Sequence, residues 1–231
     1  MKWLTQYLTS SIGRKMTMSL TGLFLITFLI VHLLGNFQLL KNDNGESFNK
    51  YTYFMTHNPL IKAVSYGLYL FIILHTIQGL ALYFANKKAK GLSYAGKSAS
   101  PGVSWSSKNM ALLGTLILFF LIIHMGDFWF KMKSGVLTKV AYEDFLQGEP
   151  IYNLYDRVAA AFKNPILIAS YIIGQLVLFF HLSHGFQSAF QTLGWNHPKY
   201  MPIVKGIGLG YAVLVPLGFA IIPVIFYVLN Q

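Results

Sequence analysis

Five long apolar runs leave this chain few ways to fold. They cover 16–40, 63–85, 109–130, 165–192 and 206–230. A helix needs roughly 20 residues to cross the hydrocarbon of a bilayer, and each run reaches that length. Inside lipid every backbone N–H and C=O must be satisfied within the segment, so such a run is a helix. The expected fold is all-α: an integral membrane bundle of five transmembrane helices, with 1–231 as a single membrane domain. Composition agrees, because only 11% of residues are charged where a soluble domain carries about a quarter. The first run has no formal charge and no small-residue cleavage site after it, so it reads as a retained span rather than a signal peptide. Pro216 and Pro223 interrupt the fifth run and predict kinks there.

The net charge is +11, with 18 Lys and Arg against 7 Asp and Glu. In a soluble protein that balance would point to nucleic acid. Here the charge lies between spans, so membrane topology accounts for it and no nucleic-acid partner is expected. The N-terminal segment, the 86–108 loop and the 193–205 loop hold Lys2, Arg14, Lys15, Lys87, Lys88, Lys90, Lys97, Lys108, Lys199 and Lys205, and no acid. The 41–62 and 131–164 loops hold Asp43, Glu46, Glu143, Asp144, Glu149 and Asp156 among their basic residues. Basic bias marks the inner side, which puts the N-terminus inside and the C-terminus outside. Arg14 and Lys15 stand at the inner end of the first span. They could pair with lipid phosphates, with carboxylates of a partner subunit or with the propionates of a cofactor.

Phe48, Tyr51 and Met55 fall at helical spacing in one outer loop, as do Tyr155, Val158, Ala159 and Phe162 in the other. Both segments read as short helices that lie at the interface or cap the bundle. The 91–107 stretch is rich in Gly, Ser and Lys and reads as an inner loop. The GIGLG at 206–210 opens an apolar span without a preceding strand, so it reads as close helix packing rather than a dinucleotide loop.

There is no cysteine, which removes disulfides, thiolate metal sites, iron–sulfur clusters and covalent c-type haem. The chemistry-bearing residues are the histidines. His32, His75, His124, His181 and His184 lie within spans, and each of the first four spans has at least one. An ionisable side chain within a membrane is a functional hypothesis by default. A single one could merely link two helices. Four helices each supplying one suggest a bundle-core cofactor site, since neutral imidazole is a common metal ligand.

Depth sorts them at about 1.5 Å of rise per residue. His32 and His124 lie roughly 10–14 Å from the outer basic markers Lys41 and Lys131. His75 and His181 lie roughly 20–27 Å from Lys62 and Lys163. The result is an outer pair, His32 with His124, and an inner pair, His75 with His181. That arrangement suits two planar macrocycles stacked across the membrane, each iron held by two imidazoles; an ion without a macrocycle would want more ligands at one depth. Gly35, Gly79, Gly126 and Gly185 follow a histidine by two to four positions, which suits either a flat cofactor or helix packing. Depth favours His181 over His184 only slightly; the one not used would be a neighbouring partner, a propionate contact or a packing residue. His57 and His197 lie in loops.

SIGRKMTMSLTGLFLITFLIVHLLGN at 11–36 and HLSHGFQSAFQTLGW at 181–195 resemble the cytochrome b membrane subunit of succinate dehydrogenase, or complex II. The likeness is to the single-subunit, five-helix, dihaem anchors of succinate:quinone oxidoreductases and fumarate reductases of the Bacteroidetes type, and it covers nearly the whole chain. The resemblance implies two haem b groups. The distal one would be held by His32 and His124, the proximal one by His75 and His181. A family pattern of ligand His and then Gly four positions later fits His181 with Gly185, and leaves His184 a neighbouring or propionate role. It further implies a flavoprotein subunit and an iron–sulfur subunit as partners, docked at the basic inner face. A quinone, menaquinone in this branch, would be the acceptor. The implied location is a bacterial inner (cytoplasmic) membrane, N-terminus cytoplasmic and C-terminus periplasmic. Some relatives carry a glutamate two positions before the fourth-helix ligand; here that position is Phe179.

A quinone needs an apolar slot with one or two polar groups, and Glu46, His57 and Asp127 are the outer candidates. The same features admit a dihaem b subunit of another respiratory enzyme, such as a fumarate reductase, hydrogenase, formate dehydrogenase or nitrate reductase. A transporter with relaying histidines would need discontinuous helices and a polar path, and the spans show little of either.

Overall fold

The computed structural model describes residues 2–89 and 104–229. Lys90, Lys97, most of the 91–107 loop and the end of the fifth run at Asn230 lie outside them. The described chain is helical almost throughout, and five helices are long and apolar enough to cross a membrane.

A short helix α1 (Lys2–Thr9) precedes the first of these, α2 (Ser11–Asn36). Ser10 separates the two. Its hydroxyl oxygen accepts from the Gly13 N–H at 3.0 Å, satisfying one of the amides that a helix start leaves unpaired. A 3-10 turn (Phe37–Leu40) ends α2, and α3 (Glu46–His57) follows. The second long helix, α4 (Pro59–Ala89), starts on a proline, whose missing N–H costs nothing at a first helical position. After α5 (Trp105–Lys108) comes α6 (Met110–His124). A π-helical turn (Met125–Phe130) and the one-turn α7 (Lys131–Lys133) continue it. Two-residue strands β1 (Lys139–Val140) and β2 (Ile151–Tyr152) pair antiparallel. Then come α8 (Leu154–Ala161), α9 (Pro165–Thr192) and α10 (Met201–Leu229).

The helices outrun the apolar runs at several ends, because caps and prolines rather than hydrophobicity set a helix start. The first begins at Ser11 instead of 16, the second at Pro59 instead of 63, and the fifth at Met201 instead of 206. The fourth coincides with its run. The fifth is assigned as one helix through both Pro216 and Pro223, and Pro223 is fully buried. The loop segments expected to be helical are α3 and α8. Phe48 from the first, and Val158, Ala161 and Phe162 around the second, are buried in one apolar cluster with Leu33, Phe128 and Phe226. That cluster sits at one end of the bundle, the far end, where the two loops fold back as a cap.

The packing pattern arranges the long helices. α2 packs on α4 and on α9, α9 packs on α6, and α6 packs on α4. These four close a ring in which α2 stands diagonal to α6, and α4 diagonal to α9. α10 lies outside the ring against α9 and α2, and its Tyr211 hydroxyl donates to the Ile26 carbonyl at 2.6 Å.

The cap is organised by Asn49, which is wholly buried. Its amide nitrogen donates to Tyr142 Oη and to Asn153 Oδ1, both at 3.0 Å, and its Oδ1 accepts from the Tyr155 N–H at 3.0 Å. Gly45 enters α3 at φ +82°, and a Cβ there would meet the Tyr155 ring at 2.0 Å. That position therefore admits only glycine.

Candidate functional site

The ring geometry brings the histidines together in pairs across its two diagonals. His32 of α2 faces His124 of α6 with ring centroids 5.7 Å apart. His75 of α4 faces His181 of α9 at 6.3 Å. Neighbouring helix axes lie about 8–10 Å apart, so a diagonal is about 11–14 Å and only long side chains meet across it. All four rings are half-buried. His184, one turn further along α9 from His181, is also half-buried and meets no other ring among the described residues.

The spacing has a chemical meaning. An imidazole–metal bond is about 2 Å and a ring nitrogen is about 1 Å from its ring centre, so two imidazoles on opposite sides of one ion have centroids about 6 Å apart. Both pairs stand close to that value. No group of three His, Cys, Asp or Glu side chains among the described residues could hold an ion. Each pair could offer two imidazole nitrogens to one ion, and any further donors would have to arrive with that ion.

The surroundings of the two pairs differ. Phe28 stacks on His32 at 5.2 Å and Phe120 on His124 at 5.9 Å. Phe219 of α10 also reaches His32, at 5.5 Å. The inner pair is flanked by glycine backbone. A Cβ on Gly22 would stand 3.3 Å from His75 Cε1, and one on Gly114 would stand 3.8 Å from His181 Cε1. His181 Nδ1 is buried without a hydrogen-bond partner among the described residues. His75 Nδ1 is 3.1 Å from Thr21 Oγ1, and His124 Nδ1 is 3.2 Å from Tyr171 Oη. Asn36 Nδ2 stands 3.4 Å from His32 Nδ1, but its better bond, 2.7 Å, goes to the His32 carbonyl.

Of the glycines singled out in the sequence, Gly35 lies against Tyr51 and Gly79 against Met18, which is helix packing. Gly126 and Gly185 have open space where a side chain would be. Thr21, Gly22, Gly114, Tyr171 and Phe219 were not legible as neighbours of the pairs. One signal for Tyr171 existed: it lies ten positions before His181, about 15 Å along α9, which is the depth of the outer pair.

The other candidates are dispersed. Glu46 pairs with Lys50 at 2.6 Å. His57 is the last residue of α3 rather than a loop residue, exposed and stacked on Tyr53 at 3.9 Å. Asp127 sits on the π-helical turn, where its Oδ1 takes both Lys131 at 2.7 Å and the Arg157 guanidinium. Asp127 thus ties α8 to the end of α6. Arg14 is half-buried and Lys15 exposed at the N-terminal end of α2. Lys15 lines a shallow groove with Ser188 and Thr192 of α9. His197 is exposed beside Tyr200.

Comparison with protein-family models, with curated proteins and with solved structures finds no match for this chain.

Proposed function

We propose that the chain is the membrane anchor and dihaem cytochrome b subunit of a succinate:quinone oxidoreductase. It would take electrons from an iron–sulfur subunit, itself fed by a flavoprotein subunit, and deliver them to a quinone, menaquinone by the resemblance. The observation that carries this is the pair of histidine diagonals: two imidazole pairs at two depths, each with the centroid spacing of a shared ion. His32 and His124 would hold the distal haem, His75 and His181 the proximal one. Bound haem supplies a reversible one-electron carrier. The protein's own part is to fix the imidazoles, wall the outer pair with Phe28, Phe120 and Phe219, and leave glycine backbone beside the inner pair. His181 is favoured over His184 because it has an imidazole opposite it, and His184 has none among the described residues.

The basic ends of the spans support an N-terminus on the inner side and a C-terminus on the outer side; by the resemblance the membrane would be a bacterial inner membrane, with cytoplasmic and periplasmic sides respectively. The partner subunits would then dock at the N-terminal end, beside Arg14, Lys15, Lys87, Lys88, Lys108 and Lys199. Phe179 stands two positions before His181, where some members of the family that the chain resembles carry a glutamate.

A pyridine-haemochrome assay on purified protein tests the reading, and it should give two b haems per chain. One or none would refute it. Copurification of a flavoprotein and a cluster-bearing subunit separates this enzyme from other respiratory complexes with a dihaem subunit.

A further inference from the structure

Each histidine pair is completed by a third helix, and that helix belongs to the other pair. The Thr21 hydroxyl has one proton, and the Thr17 carbonyl takes it at 2.6 Å. Thr21 Oγ1 therefore accepts from His75 Nδ1–H at 3.1 Å, which leaves His75 Nε2 with its lone pair free. Thr21 is on α2, the helix that carries His32. At the other level Tyr171 is on α9, the helix that carries His181, and its Oη stands 3.2 Å from His124 Nδ1. Tyr171 is 7% exposed, and its ring is fixed by Phe120 at 5.1 Å and Phe162 at 5.2 Å. Its hydroxyl bonds nothing besides His124 among the described residues. The hydrogen bond at one ring nitrogen decides which nitrogen is left for a metal.

Resting on the dihaem reading, we propose that Thr21 and Tyr171 are positioning residues. Thr21 orients His75 by accepting from its Nδ1–H, and Tyr171 orients His124 through the Nδ1–Oη hydrogen bond; with His124 Nε2 given to a metal the neutral ring carries its proton on Nδ1, so Tyr171 Oη is then the acceptor. The outer level is then built by α2, α6 and α9, and the inner level by α4, α9 and α2. α2 and α9 each carry a ligand for one level and the orienting oxygen for the other, which interlocks the two sites.

An acceptor at Nδ1–H makes the imidazole a stronger electron donor and favours the oxidised metal. Removing it should raise the midpoint potential of that haem alone. The test is a spectroelectrochemical titration of the purified complex. Thr21→Val, which keeps the side-chain shape, should shift the inner haem about tenfold in its reduced-to-oxidised ratio, or about 59 mV, and leave the outer haem in place. Tyr171→Phe should do the converse. Thr21→Ser and Tyr171→Gln restore an acceptor oxygen and should bring the shifted potential back toward wild type. Two haems with unmoved potentials in Thr21→Val and Tyr171→Phe would overturn the inference alone, as would equal shifts of both haems in either variant. Wild-type protein without haem would overturn the parent reading and this inference with it.

Discussion

Replacing Asn49 by alanine should open the far-end cap while leaving the spans intact. Asn49 is 0% exposed and makes three hydrogen bonds of 3.0 Å, to Tyr142, Asn153 and Tyr155. They join α3 to the loop before β2 and to the start of α8. Asn153 Oδ1 keeps the Asp156 N–H at 3.1 Å in the variant, so it is not orphaned. The Tyr155 N–H loses its side-chain acceptor. Two donated bonds at about 1 kcal/mol each, plus at least about 1 kcal/mol for the stranded backbone amide, give about 3 kcal/mol. At 1.4 kcal/mol per decade that is roughly a hundredfold in the opening equilibrium. Amide hydrogen exchange in detergent reads this directly, since cap and spans open as separate units. Exchange across Glu46–His57 and Leu154–Ala161 should rise by about that factor, and exchange in the middle of α9 and α10 should not change. Unchanged cap exchange would refute the reasoning. So would a uniform rise through α9, because the network would then not be local.

Three further outcomes are expected. On the proposed dihaem assignment, His181→Ala should lose the inner haem, while His184→Ala should keep it; a reduced-minus-oxidised spectrum distinguishes them, and loss in the His184 variant alone would reverse the assignment. Gly22→Leu should also displace the inner haem, because its Cβ starts 3.3 Å from His75 Cε1, whereas Gly185→Ala enters open space and should retain both haems by the same spectrum. Acid should loosen the cap: hydrogen bonding from Lys50 holds the Asp144 carboxyl below its ordinary 3.8. A depressed carboxylate stabilises above its unfolded pKa and loses that contribution as pH falls through the folded value. Exchange in α3 should therefore rise as pH drops below about 3.8, after correction for intrinsic rates; Asp144→Asn should weaken that dependence, and the remainder belongs to Asp43, whose carboxylate is also held low by accepting from the Ser47 and Gly45 N–H groups at the start of α3.

The amino-acid sequence by itself determined the elements and the candidate ligands. Uncharged runs such as 16–40 can only be helices in lipid, since no water is there to satisfy the backbone. Rise per residue then sets the depth of each histidine, which puts His32 level with His124 and His75 level with His181. The helical spacing of Phe48, Tyr51 and Met55 likewise marked α3. Only the tertiary structure decided which helices are neighbours and which are diagonal. It alone placed Thr21 beside His75, Tyr171 beside His124, and Phe219 from a span without histidine against His32. It also gave Asp127 to Arg157 through a π-helical turn that no sequence pattern announced. The reason is physical. Depth is a one-dimensional quantity counted along each helix, whereas azimuth around the bundle depends on how five side-chain surfaces pack against one another at once.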